Sequence, residues 1–350
     1  MNIAPDRLRQ LTMSILRASG SNDAEAATVA DHLVGANLAG HDSHGVGMLP
    51  AYHRSLRGGH LRPNAAPTIV QDSGSFAVWD GDGCYGQVVA RDAMAWAIAT
   101  ARTHGVAVHG LRNTHHIGRV GTYGEMAAAA GLLSVQFVNG YGGAPKVAPY
   151  RGREGRFSTN PICIAVPGTA ANPPVVLDMA TSRIALGKVR VAYNEGRHVI
   201  GGALIDAAGQ PTTDPAVIYT EPHGAVLPFG EHKGYGLAMI CELLAGAVAG
   251  AGTIQSMAPP DKGIINGWLT FVLDQQRLAA GPLIEREIDG LITWAKSAAP
   301  ADPDLPVLVA GEPERIARAA RARDGIEIDA TTWAQIRDVA TAFGVNIDLA

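Results

Sequence analysis

Apolar residues recur at helical spacing at the start of the chain: Leu8, Leu11 and Ile15 within Pro5 to Ala18, then Ala27, Val29, Leu33 and Ala36 within Asn22 to Leu38. Gly20-Ser21-Asn22-Asp23 supplies a helix stop followed by N-cap candidates, so the pattern predicts a helical hairpin. After Pro63 the texture changes. Thr68 to Val70 and Ser75 to Trp79 read as short strands, Gln87 to His104 as a strong helix and Ala107 to Leu111 as another strand. Thr122 to Ala130 reads as a helix, while Ser134 to Asn139, Ile162 to Val166 and Val175 to Asp178 read as strands, the last followed by a turn and a helix start. Leu237 to Ala249 is an apolar helical segment, Gly252 to Asn266 a loop, Trp268 to Leu273 a strand and Gly281 to Ala298 a helix. Glu312 to Asp324, with Pro313 in its first turn, and Thr331 to Phe343 close the chain as helices. Helices at both ends around an α/β middle predict two units: 1–65 with 312–350 as a helical domain built from both termini, and 66–311 as an α/β domain.

Composition narrows the function. A chain of 350 residues, 47% hydrophobic and 17% charged with a formal net charge of -4, has neither the basic surface that nucleic acid needs nor one suited to an anionic membrane. No apolar run approaches the roughly 20 residues of a bilayer span, and the first 20 residues carry Asp6, Arg7 and Arg9 rather than a signal-peptide core. Cys84, Cys163 and Cys241 are widely separated and show no CxxC pairing, which predicts buried free thiols in a reducing compartment. A soluble, cytoplasmic enzyme is expected.

Three polar clusters sit among glycines at the ends of predicted elements. They are Gly40-His41-Asp42-Ser43-His44-Gly45-Val46-Gly47, Asn113 to Gly121 with His115, His116 and Arg119, and Glu231-His232-Lys233-Gly234-Tyr235-Gly236. Glycines permit sharp turns and close approach of a ligand, so the clusters read as one composite site. Gly81-Asp82-Gly83-Cys84-Tyr85-Gly86 matches the dinucleotide pattern GxGxxG, but Trp79-Asp80 precedes it and no acidic residue follows at the expected spacing. A tight glycine turn accounts for it better.

These clusters, with Ser158-Thr159-Asn160-Pro161, Val176 to Ser182 and Gly187-Lys188-Val189, resemble the type 2 malate/L-lactate dehydrogenase family, and most closely its hydroxycarboxylate dehydrogenase branch. The similarity runs from about residue 5 to 345. It implies a non-Rossmann, mixed-sheet cofactor-binding domain, NAD (or NADP) as cofactor, a small 2-hydroxy or 2-oxo acid such as phenylpyruvate or 2-oxoglutarate as substrate, and a homodimer. Malate, lactate and ureidoglycolate are the alternatives within the family.

The resemblance points to His44 and His116 as proton donor or acceptor, with Ser43 and Asp178 as orienting partners. Asp178 reads equally as a helix N-cap before Met179 to Ser182. Cofactor contacts are implied for His44, Gly118, Arg119, Val120, Val176, Leu177, Asp178, Met179, Ala180, His232, Lys233, Asn266, Gly311, Glu312, Pro313 and Glu314. Many relatives carry an arginine four residues after the histidine of Ser-His-Gly, where this chain has Met48. The substrate's carboxylate clamp is therefore expected elsewhere, at Arg119, with Met48 favouring a bulky apolar side chain. No metal is expected. A zinc hydrolase using His41, Asp42, His44, His115 and His116 is the competing class, opposed by the poor ligand spacing.

Overall fold

In the computed structural model, which describes residues 1–257 and 263–347, the alternating segments become a seven-stranded sheet. Residues 258–262, within the expected loop 252–266, and 348–350, at the end of the expected terminal unit, lie outside the described residues. The strands are β2 (Thr68–Asp72), β3 (Phe76–Asp80), β4 (Val106–His115), β5 (Leu133–Tyr141), β6 (Ile162–Val166), β7 (Val175–Met179) and β11 (Ile265–Leu273), in the order β2-β3-β4-β11-β5-β6-β7. Only β3 and β4 are parallel, joined across helix α4 (Gly86–His104); every other pair is antiparallel. One parallel pair does not make a doubly wound dinucleotide fold, and the sheet is of the mixed kind expected.

Of the seven strands of this sheet, the last in sequence is the central one. β11 begins at Ile265, inside the segment read as loop, because pairing on both edges and burial on both faces favour strand over the local glycine signal. Over one face lie α4 and α5 (Gly121–Ala129). Ala90, Ala93, Ala97 and Ala101 of α4 are fully buried, short side chains that let the helix come close to the sheet and pack with Leu111, Tyr123 and Trp268.

A second core joins the two ends of the chain. Leu8 and Ile15 of α1 (Pro5–Ala18), Leu33 of α2 (Asp23–Leu38), Leu49 and Tyr52 of α3 (Leu49–Arg57) and Ile336 and Val339 of α10 (Ala330–Ala342) pack together. Strand β1 (Asn2–Ile3) pairs with β12 (Ile326–Glu327), and the Met1 amine donates to Ile328 O at 2.9 Å. The side chain of Asn22 caps α2 by accepting from Glu25 N. A third cluster combines α6 (Leu186–Asn194), a small sheet of β8 (Leu204–Ile205), β9 (Pro211–Thr212) and β10 (Ala225–Val226), and the buried side of α7 (His232–Cys241). The outer helices α8 (Gly281–Lys296) and α9 (Glu312–Asp324) complete the fold.

The segment read as one helix from Leu237 to Ala249 is two. It runs as α7 from His232 and widens at Glu242 into π-helical turns through Val248. The buried Glu242 carboxylate accepts from Asn160 Nδ2 at 2.8 Å, Asn139 Nδ2 at 3.2 Å and Ile254 N at 2.9 Å, bonds that anchor the start of the wider turn.

His109 on β4 is fully buried among Trp79, Trp96 and Trp268, with ring centroids 4.8, 5.4 and 6.3 Å away and neither ring nitrogen hydrogen-bonded. Burial pushes its pKa down to about 3. The unfolded chain, with a histidine pKa of about 6.5, binds the extra proton between these values, so this contribution to stability is complete above about pH 6.5 and lost as pH falls toward 3. His109→Leu is expected to flatten the fall of unfolding free energy between pH 6 and 4 by up to about 1.4 kcal/mol per pH unit. Urea melts across that range test this, and an unchanged slope would contradict it.

Candidate active site

The chain leaves α2 through a 3-10 turn at Asp42–His44 and a second at Val46–Met48 before entering α3. Three sides hold these turns. Arg321 of α9 donates to both Asp42 carboxylate oxygens, at 2.6 and 2.9 Å, and Asn37 Nδ2 donates to Asp42 at 2.6 Å. Asn37 Oδ1 accepts from Val46 N at 2.8 Å, and a Cβ on Gly45 would fall 2.2 Å from that oxygen, so only glycine fits. From the third side α6 presses on Ser43, where a Cβ on Gly187 would lie 2.1 Å from the serine Cβ.

The clamped turn aims His44 at the end of β4. His44 Nδ1 lies 3.1 Å from His116 Nε2, with the two rings within 16° of parallel. On its other side His116 Nδ1 lies 2.7 Å from the Tyr52 hydroxyl, which accepts from Gln87 Nε2 at 2.5 Å. With the Gln87 amide so oriented, the Tyr52 proton is donated to His116 Nδ1. His116 Nε2–H then donates to His44 Nδ1, leaving His44 Nε2 with no partner among the described residues. Burial is the main cause that pushes His44 down to about 3, followed by His41, Arg119 and Arg190; burial and then His44 push His116 well below the ordinary histidine value. Burial also raises the Tyr52 hydroxyl well above the usual tyrosine range. The relay is neutral as it stands.

His44 and His116 open onto a cavity of about 330 Å³ lined also by Ser43, Met48, Gly118, Val120 and Asn266. Asn266 shapes the wall: its Oδ1 accepts from Ile117 N at 2.9 Å and its Nδ2 donates to Asn139 O at 3.1 Å. Among the described residues, the arginines lining the cavity are Arg54 and Arg190, neither foreseen from sequence, and no aspartate or glutamate lines it.

Arg119, the expected carboxylate clamp, is not among the residues lining this cavity. It is 2% exposed, with Nη1 2.8 Å from Glu125 Oε1 and Nε 3.4 Å from Asp178 Oδ2. Its backbone amide donates to His32 Nε2 at 2.8 Å, and a Cβ on Gly118 would collide with the His32 ring at 2.2 Å. The helix-cap reading of Asp178 is corrected in its target. Asp178 ends inside β7, the next helix starts only at Leu186, and its Oδ2 accepts from Gly121 N at 2.8 Å, the first residue of α5. Burial raises its pKa, opposed by Arg119.

Three predicted segments meet at this corner. Gly118-Arg119-Val120 adjoins Val176-Leu177-Asp178-Met179-Ala180 through the Gly121 amide and Asp178. Val176 N donates to Ala310 O at 3.2 Å, directly before Gly311, Glu312, Pro313 and Glu314, and Glu314 Oε1 reaches His41 Nε2 at 3.1 Å. His232 and Lys233 are not brought in: both are exposed at the start of α7, outside the cavity wall, with the His232 ring edge-on to Tyr150. His115 does not join His116 either. It has no partner for either ring nitrogen and packs against the Tyr52 ring. Among the described residues no three histidine, cysteine, aspartate or glutamate side chains could hold a metal ion, and this weighs against the zinc alternative.

Tyr52 and Gln87 went unseen in the sequence. The available signal was the spacing Leu49, Tyr52, Leu56, which marks one face of α3 over only two turns.

A model of the malate/L-lactate dehydrogenase family matches residues 3–337. The chain is 44% identical to hydroxycarboxylate dehydrogenase B of Escherichia coli (strain K12) over 340 residues, 97% of this chain and 93% of that protein. It is 40% identical to an L-lactate dehydrogenase of Cupriavidus necator over 351 residues, covering all of both. Among solved structures, the sulfolactate dehydrogenase of Methanocaldococcus jannaschii superposes with a TM-score of 0.87 at 34% identity, over 99% of each chain.

Gly187→Ala is expected to destabilise the protein by about 3 kcal/mol, the cost of a backbone displacement at a site that cannot relax. Denaturant unfolding measures it, and a loss under about 0.5 kcal/mol, the range of ordinary surface substitutions, would show that Ser43 is free to move.

Proposed function

The chain belongs to the malate/L-lactate dehydrogenase family and is an oxidoreductase acting on CH–OH groups, and from the cavity we propose NAD(P)-dependent hydride exchange at C2 of a 2-hydroxy or 2-oxo acid of the phenylpyruvate or 2-oxoglutarate kind. The observation that carries this is the hydrogen-bonded row Gln87–Tyr52–His116–His44 ending at the cavity. A neutral imidazole at its end can take the hydroxyl proton of a 2-hydroxy acid, and the protonated form can return it to a carbonyl oxygen.

The residues fit a nicotinamide. Gly118, Gly140 and Gly143 line the cavity together with Ile117 and Val120, and among the described residues a Cβ at Gly143 would meet only Gly263 O, at 4.0 Å, which supports room for a ligand there. When bound, the nicotinamide supplies or accepts the hydride. His44, Gly118, Val120 and Asn266 would hold the cofactor from the cavity wall, backed by Arg119 and by the corner of Val176 to Ala180 and Gly311 to Glu314, while Lys233 and His232 would meet only a phosphate that extends outside that wall.

In the row as it stands His44 Nε2 carries the hydrogen, so oxidation needs the row reversed before Nε2 can take the hydroxyl proton of the substrate. For His44 to hold both ring protons, His116 Nε2 must accept, His116 Nδ1–H must donate to Tyr52, and the Gln87 amide must rotate so that Oε1, which has no partner in the structure, replaces Nε2 beside Tyr52 and accepts its hydrogen. Gln87 and Tyr52 thus give the row an end that can reverse. An entering substrate carboxylate would raise the imidazole pKa by opposite charge, favouring the acid form for reduction. A cytoplasmic location and a homodimer complete the reading; the three buried free thiols support the first.

Titration of NADH fluorescence and 2-oxo-acid-dependent NADH oxidation test the reading together. His44→Ala and His116→Ala are expected to lower kcat by about a hundredfold or more, with Tyr52→Phe losing about tenfold and shifting the pH profile. Full turnover in either histidine variant would make that residue structural. Met48, buried in the wall, supports a preference for a bulky side chain. Phenylpyruvate is accordingly expected to show a higher kcat/KM than pyruvate, and the reverse order would remove that argument.

A further inference from the structure

Arg190 stands on α6 and lines the cavity. No carboxylate forms an ion pair with it within 4.0 Å among the described residues, its Nε is buried without a hydrogen-bond partner, and its Nη1 lies 3.9 Å from the Met48 sulfur. It is also wedged against the turn that carries His44: a Cβ on Gly47 would come within 3.0 Å of its Nη2. Burial lowers its pKa, and Tyr219 and Asp329 oppose that shift. A cation held out of water without a partner is costly, and the cost is relieved when a ligand brings the anion.

Resting on the dehydrogenase reading above, we propose that Arg190 binds the carboxylate of the 2-oxo acid, beside Met48 and across the cavity wall that holds His44. The planar fork of a guanidinium matches a carboxylate with two parallel hydrogen bonds, which would fix C2 relative to the imidazole. Arg119 is unsuited to the task because Glu125 and Asp178 already occupy it. Arg54 reaches the same cavity from α3 but is exposed, so water weakens its hold on an anion.

The test compares phenylpyruvate with its methyl ester, which keeps the carbonyl and loses the charge. Wild type, Arg190→Gln, Arg190→Lys and Arg54→Gln are assayed with both compounds, and NADH binding is followed by fluorescence. Arg190→Gln is expected to lose about a hundredfold in kcat/KM for the acid while the ester rate and NADH affinity hold, and Arg190→Lys to lose about tenfold through the missing fork. An unchanged acid-to-ester ratio in Arg190→Gln, or a collapse only in Arg54→Gln, overturns the assignment alone. Should Arg190→Gln fail to fold, Arg190→Lys decides, and wild-type kcat/KM on the acid overturns it. A wild type inactive on every 2-oxo acid with NADH and NADPH overturns the dehydrogenase reading and this assignment with it.

Discussion

Two imidazoles 3.1 Å apart and out of water cannot both carry charge, so the His44–His116 contact requires a supply of hydrogen bonds that keeps each ring in a defined neutral form. Tyr52 and Gln87 meet that need from α3 and α4, on opposite sides of the junction between the helical core and the sheet. The site therefore exists only when those two bodies of structure are docked. Packing of Tyr85, at the start of α4, with the cluster of α1, α2 and α3 is one of the contacts that keeps them so.

That dependence explains why the chain ends matter to a site built mostly from the first 190 residues. The turn at Asp42 is held by Arg321, twenty-odd residues before the end of the described chain, and α9 is placed in turn by Glu314 on His41. Pairing of β1 with β12 joins Asn2 and Ile3 to the segment between α9 and α10. An ion pair of two charges this well matched and half-buried has more influence on geometry than its modest net stability would indicate, since it acts with Asn37 and α6 to fix one short turn.

What could be read in the sequence and what could not divide along physical lines. Strands such as Ile162 to Val166 and helices such as Pro5 to Ala18 announce themselves because burial on one face or both leaves a pattern many residues long. Helix α3 left none: it spans nine residues, starts with Leu49-Pro50 and hides its function in one tyrosine. The start of β11 was masked by Gly267, and the direction of Arg119 depended on Glu125 six residues ahead, a partner visible only once α5 is folded. The pairing of His44 with His116 spans 72 positions, so no local signal could give its distance, although the two glycine-flanked clusters did mark both partners.

The glycines themselves carried the signal for a reason other than backbone freedom. At Gly45, Gly86 and Gly187 the backbone angle is ordinary, yet a Cβ would lie 2.2 Å from Asn37, 2.1 Å from the carbonyl of His115 and 2.1 Å from Ser43. Each removes a side chain where two segments must touch for an imidazole or its support to reach position. Gly86 is the last glycine of the GxGxxG match, and its neighbour is the end of β4, so the motif that looks like a phosphate cradle is a contact surface for the strand that leads to His116. A motif of glycines records close approach, and what approaches, a phosphate or another part of the chain, is decided by the fold around it.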